Sequence, residues 1–126
     1  MSAHAKHILI VDDEEAVCWT LQRALTREGY SVDVAPSAEE AFAVVQKRRP
    51  AAVILDVRLP GWDGPQILTA LQSINPELCC CFMTGNGGNY TERELLERGA
   101  ARVFAKPVPL AELVPAIEQL VGSQAR

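Results

Sequence analysis

Acidic side chains follow directly after the first apolar run of this sequence. Residues 8–11 read Ile-Leu-Ile-Val, and Asp12, Asp13, Glu14 and Glu15 come next. Two carboxylates about 4 Å apart repel by about 1 kcal/mol in water and by about 4 kcal/mol at a protein-like effective dielectric. A buried strand that ends in this way needs either side chains that point apart or a cation that compensates the repulsion.

Three later apolar runs also end in a polar residue, and each of these residues has a different chemistry. They are Asp56, Thr84 and Lys106. Together with Asp12 and Asp13, the carboxylates contribute −3 and the ammonium contributes +1, which leaves a formal charge that one divalent cation neutralises. A few oxygen ligands suit Mg²⁺ completed by water and phosphate oxygens better than they suit a closed Ca²⁺ cage.

Such a set of residues has the chemistry needed to take up a phosphoryl group. The Asp56 carboxylate can act as the nucleophile, because a carboxylate can accept phosphate as an acyl phosphate. A metal ion and the Lys106 ammonium stabilise the equatorial oxygens during transfer, and the protein mainly positions the groups. After phosphorylation the charge on Asp56 changes from −1 to about −2, so Thr84 and Lys106 are drawn inward.

The elements that position these residues alternate between strand and helix. Strands are predicted at residues 8–11, 32–35, 52–55, 79–83 and 103–105, with an amphipathic segment after each. Strict alternation predicts an α/β fold with a parallel sheet covered on both faces, a (βα)5 arrangement. The second strand reads SVDVA, and its central charge suits an edge, which favours the flavodoxin-like doubly wound order 2-1-3-4-5 over a barrel. The carboxyl ends of such strands lie at one edge, so the polar residues are predicted to meet there.

Capping residues and helix breakers mark the predicted helix boundaries. Gly29 is a natural end for the first helix, and Pro115 inside the last helix predicts either a kink or a late start. Capping motifs predict three further helix starts, namely Ser37 with Glu40, Thr91 with Glu94, and Asp63 two residues before Pro65.

The composition is typical of a single small globular domain. The chain has 126 residues, 48% of them hydrophobic, and a net charge of −4, which gives no electrostatic reason to bind nucleic acid or an anionic membrane. It lacks both the roughly 20-residue apolar run of a bilayer span and a signal-peptide core, so we expect a cytoplasmic protein. His4 and His7 are expected at the surface. The cysteines, Cys18 and 79–81, are expected to be small buried hydrophobes, because neighbouring strand residues point to opposite faces and cannot converge on one metal.

Four stretches of the sequence resemble the receiver domain of two-component response regulators. They are ILIVDDEE, AVILDVRLPGWDG, CFMTGNGG and GAARVFAKP. Their order and their places at strand ends make the combination highly specific, and the resemblance runs from Lys6 to Val121. It implies one receiver domain over residues 1–126, with a core at about 6–121 and short flexible termini.

The resemblance also implies a role for each residue of the predicted site. Asp56 becomes the phosphoacceptor, Thr84 hydrogen-bonds the phosphoryl group, and Lys106 pairs with it. The bond between Lys106 and Pro107 is expected to be cis. The implied ligands of Mg²⁺ are Asp12, Asp13, Asp56 and the backbone carbonyl of Arg58.

One position departs from the family pattern. The family usually has Tyr or Phe three residues before the lysine, as a rotating switch coupled to the threonine, and this chain has Val103 there. The aromatic residue is displaced to Phe104, which we expect in the core. Signalling is therefore expected to rest on Thr84 and the glycine-rich loop at 85–88.

The resemblance implies partners on both sides of the phosphoryl transfer. The expected donor is the phosphohistidine of a sensor histidine kinase or of a phosphotransfer protein in a phosphorelay. The expected output is a changed surface on the last two helices and the last strand. That surface would be read by a downstream protein, by an output domain missing from this chain, or by a second copy in a phosphorylation-dependent dimer.

Two other functions use the same residue types. A Mg²⁺-dependent phosphatase of the haloacid dehalogenase type also combines a nucleophilic Asp with Thr, Lys and metal. It needs a second Asp two residues after the nucleophile, where this chain has Arg58, and a substrate-covering cap for which the chain has no room. An unphosphorylated binding module would keep the fold without the chemistry, but all five pocket residues are present. We therefore expect a signalling phosphoacceptor and not an enzyme.

Overall fold

The strands form one parallel sheet in the predicted order. The structure, a computed structural model, describes residues 6–85 and 90–122. All neighbouring strands of the sheet are parallel, and their order is β2-β1-β3-β4-β5, which confirms the doubly wound order 2-1-3-4-5. The strands are β1 (His7–Val11), β2 (Ser31–Ala35), β3 (Ala52–Asp56), β4 (Cys80–Thr84) and β5 (Arg102–Ala105).

Some of the predictions concern residues that the structure does not describe. The predicted flexible termini at 1–5 and 123–126, including His4, lie outside the described residues. So do residues 86–88 of the glycine-rich loop.

The burial of the strands follows their places in the sheet. Every residue of the central strand β3 is buried, because helices cover both faces of a parallel sheet. At the edge, β2 has only one fully buried residue, Ala35, and its central Asp33 is half-buried. A charge in the middle of a strand thus indicated an edge strand correctly.

Five helices cover the two faces of the sheet. One core cluster joins the sheet to α1 and α5, and the other joins the opposite face to α2, α3 and α4. Phe104 is buried in the first cluster, as predicted. The helices are α1 (Glu15–Arg27), α2 (Ala38–Lys47), α3 (Gly64–Ile74), α4 (Glu92–Glu97) and α5 (Leu110–Gly122).

The predicted capping motifs start three of these helices. Asp63 and Gln66 form a reciprocal capping box at α3, and Thr91 and Glu94 form one at α4. The side chain of Ser37 accepts a hydrogen bond from the Glu40 N–H at the start of α2. Each cap satisfies backbone N–H groups that have no partner within the helix, so local sequence alone determines where these helices begin.

Glycine and proline define the other helix boundaries. Gly29 follows α1 with a φ of 98°, a left-handed value that favours glycine. Of the two outcomes predicted for Pro115, the late start is wrong, because α5 begins at Leu110 and continues through the proline, and the kink stays a prediction. Proline has no backbone N–H, so α5 loses only the one hydrogen bond that residue 115 would donate to the preceding turn.

A short antiparallel hairpin follows β3 and was not predicted. It pairs Arg58–Leu59 with Trp62–Asp63, and Gly61 lies in its turn with a φ of 80°. The N–H of Gly64 donates a hydrogen bond to the carbonyl of Val57 at 2.6 Å. This hydrogen bond joins the two ends of the hairpin, which lies between the end of β3 and the start of α3.

His7 is not the surface residue that the sequence predicted. Its side chain is only 11% exposed, and its Nε2 lies 2.8 Å from Asp33 Oδ2. Arg48 Nη1 lies 3.5 Å from the same carboxylate oxygen. The prediction is wrong because β2 pairs with β1 in a register that brings Asp33 beside the start of the chain's first strand.

Three of the four cysteines are buried, as the sequence predicted. All four cysteines are free thiols, and Cys18, Cys80 and Cys81 are buried while Cys79 is half-buried. Among the helices in the described part of the chain, none has the length and apolar character needed to cross a membrane.

Candidate functional site

Four strands bring polar residues to the carboxyl edge of the sheet. Asp12 directly follows β1, and Asp56 is the last residue of β3. Thr84 ends β4, and Lys106 directly follows β5. Because β1, β3, β4 and β5 are adjacent and parallel, these residues lie at one edge.

Lys106 joins three carboxylates at this edge. Its Nζ lies 2.9 Å from Asp12 Oδ2, Glu14 Oε1 and Asp56 Oδ2. The contacts to Glu14 and Asp56 are hydrogen bonds, across 92 and 50 positions of the sequence. The fold therefore assembles the lysine and the acids that the sequence analysis assigned to one site.

Asp12, Asp13 and Asp56 converge closely enough to share a cation. One carboxylate oxygen from each lies within 4.8 Å of one from the others. Asp12 and Asp56 are buried, with 1% and 8% of their surface exposed, while Asp13 is exposed. Three carboxylates with one open side fit a hard cation that keeps part of its water shell, as Mg²⁺ does.

The two buried acids are oriented by the same kind of hydrogen bond, from the backbone N–H two residues ahead. Asp12 Oδ1 accepts a hydrogen bond from the Glu14 N–H at 2.9 Å, and Asp56 Oδ1 accepts one from the Arg58 N–H at 3.1 Å. An aspartate that binds the backbone two residues ahead stabilises the turn that ends its strand. In both residues this leaves Oδ2 directed toward Lys106.

One buried oxygen of the site remains incompletely satisfied. Asp12 Oδ2 lies close to Lys106 Nζ, but within the described residues it has no partner in hydrogen-bond geometry. A buried carboxylate oxygen without such a partner is costly. A divalent cation would compensate it, so the donor set fits the ion that the sequence predicted.

The pKa shifts in the site have clear electrostatic causes. Burial raises the pKa of Asp12 above its ordinary value, and the charge of Asp56 adds to this, although the hydrogen bond from the Glu14 N–H and the nearby Lys106 ammonium oppose it. Burial by itself lowers the pKa of Lys106, but the surrounding carboxylates of Asp56, Glu14 and Asp12 more than offset it and raise the pKa. Lys106 therefore remains a cation, but its single positive charge does not balance the negative charges of the surrounding carboxylates.

Thr84 and Arg58 lie next to these residues through backbone contacts. The Lys106 N–H donates to the Thr84 carbonyl at 2.7 Å, which fixes the two residues side by side, and Thr84 is half-buried. Arg58 is exposed, and its N–H contacts Asp56. The roles of the Thr84 hydroxyl and the Arg58 carbonyl stay predictions. The bond between Lys106 and Pro107 is cis, as predicted.

The hairpin after Asp56 is attached to two neighbouring elements. The half-buried Trp62 packs edge-on against Phe42, with ring centroids 5.3 Å apart, and its indole N–H donates to Glu39. Asp63, which caps α3, also accepts a hydrogen bond from the Tyr90 hydroxyl at 3.0 Å. The loop beside the site is thus linked to α2 and to the segment before α4.

Sequence reasoning missed one member of the site, Glu14. Its carboxylate was visible as a neighbour of the acidic pair, but its contact with Lys106 joins residues at the ends of different strands. Asp13 does not cap the first helix, because the N-cap residue of α1 is Glu14, which makes no side-chain hydrogen bond there.

A groove opens beside Lys106 on the surface of the protein. It has a volume of about 480 Å³ and runs between α1 and the segment after Lys106. Its walls include Ala16, Val17, Thr20, Pro107 and Val108. A partner that docks in this groove would meet the carboxyl edge of the sheet.

The chain resembles known proteins over most of its length. A family model described as the response regulator receiver domain matches residues 8–118. Sporulation initiation phosphotransferase F of Bacillus subtilis is 35% identical over 112 residues, which cover 89% of this chain and 90% of that protein. Transcriptional regulatory protein PrrA of Mycobacterium tuberculosis is 32% identical over 114 residues, which cover 90% of this chain and 49% of PrrA. The chain thus spans about half the length of relatives such as PrrA.

Solved structures agree with the fold. A response regulator receiver domain protein from Methanospirillum hungatei is 28% identical, with a TM-score of 0.87 over 95% of this chain and 96% of that one. The receiver domain of NtrX from Brucella abortus is 30% identical, with a TM-score of 0.85 over 92% of this chain and 98% of that one.

Proposed function

The chain belongs to the response regulator receiver domain family of two-component signalling proteins, and on that premise we propose that Asp56 accepts a phosphoryl group in a Mg²⁺-dependent reaction. One observation carries the proposal. Lys106 Nζ lies 2.9 Å from Asp56 Oδ2, in a site where carboxylate oxygens of Asp12, Asp13 and Asp56 lie within 4.8 Å of one another. A nucleophile, a fixed cation and a set of metal ligands thus meet at one point.

The proposed reaction moves one phosphoryl group from nitrogen to oxygen. Asp56 Oδ2 attacks the phosphorus of a phosphohistidine, the P–N bond breaks, and the histidine leaves with the electron pair. Lys106 neutralises charge on the phosphoryl oxygens, and the Thr84 hydroxyl donates a hydrogen bond to one of them. Asp12, Asp13, Asp56 and the Arg58 carbonyl would hold Mg²⁺, which would supply further charge neutralisation when bound. The turn hydrogen bond to Asp56 Oδ1 keeps the attacking oxygen oriented.

The proposed partners follow from the place of a receiver in signalling. A sensor histidine kinase or phosphotransfer protein docks in the groove beside Lys106 and delivers the phosphoryl group. Phosphorylation adds negative charge at Asp56, draws Thr84 and Lys106 inward and shifts the population of surface conformations on α4, β5 and α5. A downstream protein, an output domain or a second copy of the chain reads that surface.

Three further properties complete the proposed function. This chain forms one receiver domain that acts in the cytoplasm, without direct contact to nucleic acid or membrane. It is a signalling phosphoacceptor with slow self-dephosphorylation, not an enzyme that turns over free substrates. The exposed Arg58 occupies the position where a phosphatase of the haloacid dehalogenase type has its acidic residue.

The test is phosphorylation by a small donor. We expect the wild-type chain with Mg²⁺ and acetyl phosphate to gain one phosphoryl group, measured by the mass of the intact protein, and Asp56→Asn to gain none. Continuous phosphate release from many esters would instead indicate the phosphatase, and no mass gain in the wild type would indicate a binding module without phosphoryl chemistry.

A further inference from the structure

Glu14 contacts Lys106 but has no part in the proposed phosphoryl transfer. Its Oε1 accepts a hydrogen bond from Lys106 Nζ at 2.9 Å. The two side chains differ in exposure, with 61% of Glu14 and 16% of Lys106 accessible to solvent. Glu14 therefore holds the ammonium from the solvent side of the site.

Lys106 Nζ donates hydrogen bonds to Glu14 and Asp56 and lies equally close to a third carboxylate oxygen, that of Asp12. An ammonium has three donors, and three carboxylate oxygens, from Asp12, Glu14 and Asp56, surround Nζ at 2.9 Å. A phosphoryl group that arrives at Asp56 brings additional oxygens that Lys106 has to contact. The three carboxylate oxygens already crowd Nζ, so one of these contacts has to be released to make room for a phosphoryl oxygen.

The cost of release differs strongly among the three carboxylates. Asp12 is buried, and separation from its cation would leave a buried charge without compensation, which is costly. Asp56 itself carries the incoming group. Glu14 is exposed, so water replaces the lysine at small cost. The contact between Glu14 and Lys106 is therefore the one that is released when a phosphoryl oxygen arrives.

We propose that Glu14 is a positioning residue that retains Lys106 in the resting site and is exchanged for a phosphoryl oxygen, so that it slows phosphorylation by small anionic donors. This inference rests on the proposed function. The Glu14 carboxylate acts in two ways, since it competes for Lys106 and also repels an anionic donor from the mouth of the site. A donor protein that docks on the surface can offset this barrier with its own contacts, whereas a small donor cannot.

The test compares Glu14→Gln with Glu15→Gln. The second variant removes the same charge one residue away, from an exposed side chain at the start of α1 that is outside the Lys106 cluster. At saturating Mg²⁺, titrated separately for each protein, we expect Glu14→Gln to be labelled by acetyl phosphate roughly two- to fivefold faster than wild type, the range of an exposed ion pair. Glu15→Gln is expected to match the wild-type rate, and the gain in Glu14→Gln is expected to shrink at high salt.

A second measurement examines the contact without metal or donor. The nitrogen NMR signal of the Lys106 ammonium in the metal-free protein is expected to shift in Glu14→Gln and to stay unchanged in Glu15→Gln. An unchanged signal in both variants would overturn the inference.

The outcomes separate this inference from the function on which it rests. Labelling at Asp56 with equal rates in all three proteins, equal gains in both variants, or a slower rate in Glu14→Gln would overturn the role of Glu14 and leave the phosphoacceptor in place. No labelling of the wild type would instead contradict the proposed function.

Discussion

Two clusters of charged side chains lie toward opposite edges of the sheet and differ in their balance of charge. At the carboxyl edge, Lys106 Nζ contacts the carboxylates of Asp12, Glu14 and Asp56, and a fourth carboxylate, that of Asp13, has an oxygen within 4.8 Å of those of Asp12 and Asp56. Toward the amino edge, Asp33 lies between His7 and Arg48. One cluster has a large excess of negative charge, and in the other the single carboxylate has two basic partners.

The difference in charge balance distinguishes the two clusters as candidate sites for a cation. The Asp33 carboxylate has two basic partners within the described fold, and the buried atom without a hydrogen-bond partner in that cluster is a ring nitrogen of His7, not a carboxylate oxygen. At the carboxyl edge, the buried Asp12 has a raised pKa and an oxygen without a hydrogen-bond partner among the described residues. Such an imbalance costs free energy of folding unless a cation compensates it, which indicates a ligand site.

The largest expected effect is a loss of Mg²⁺ affinity that occurs when a carboxylate is removed from one cluster but not from the other. Asp12→Asn and Asp13→Asn are each expected to weaken Mg²⁺ binding at least about tenfold, because a unit charge about 4 Å from a divalent ion is worth about 2 kcal/mol even in water. Asp33→Asn removes one charge from the other cluster and is expected to leave the affinity unchanged. Calorimetric titration measures all three. Equal losses in the three variants would mean that only net charge attracts the ion.

The next largest expected effect is a pH dependence of stability, caused by the Cys18 thiol next to the acidic cluster. The Cys18 thiol donates to the Asp12 carbonyl at 3.2 Å, and burial, then the charge of Asp12, raises the pKa of Cys18 from 9.0 to about 11. The unfolded chain loses this proton first, so the free energy of unfolding is expected to fall between pH 9 and about 11, by on the order of 2 kcal/mol.

The Cys18→Ala variant isolates this contribution. Denaturant unfolding at several pH values is expected to show a shallower alkaline decline in the variant than in the wild type, whatever the variant's absolute stability. The buried Cys80 and Cys81 remain in both proteins, so their titration cancels in the comparison. Identical declines would mean that Cys18 ionises normally in the folded protein.

The smallest expected effect is on the free energy of unfolding, which is predicted to change in opposite directions when a carboxylate is removed from one cluster or the other. In the metal-free protein, Asp13→Asn is expected to raise the free energy of unfolding by a few tenths of a kcal/mol, because it relieves repulsion at an exposed position. Asp33→Asn is expected to lower it by about 0.5–1 kcal/mol through the loss of its partners His7 and Arg48. Urea unfolding with a chelator present measures both, and destabilisation by Asp13→Asn would contradict the imbalance at the carboxyl edge.

The features that sequence predicted well are local or are tied to strand ends. Strand order followed from alternation and from the charge of Asp33 in β2, and helix starts followed from caps such as Asp63. The meeting of Asp56 and Lys106 was predictable because all parallel strands end at one edge. The burial of Phe104 in the core was also predicted correctly.

The features that sequence missed depend on how distant elements pack. Glu14 reaches Lys106 only because β1 and β5 end at the same level, and no local pattern specifies that a glutamate side chain turns toward the site. His7 is covered because the register pairs it with Ser31, which brings Asp33 within reach. The late start of α5 failed as a prediction because Pro115 removes one hydrogen bond, which the packing of Leu113 and Ile117 in the core offsets.

The central claim is that the acidic edge holds a divalent ion beside Asp56, and anomalous diffraction from crystals soaked in Mn²⁺ tests it most directly. The expected result is one strong peak between the carboxylates of Asp12, Asp13 and Asp56, in contact with the Arg58 carbonyl, and no peak near Asp33. An ordered ion elsewhere on the protein, with nothing at these three carboxylates under saturating Mn²⁺, would contradict it.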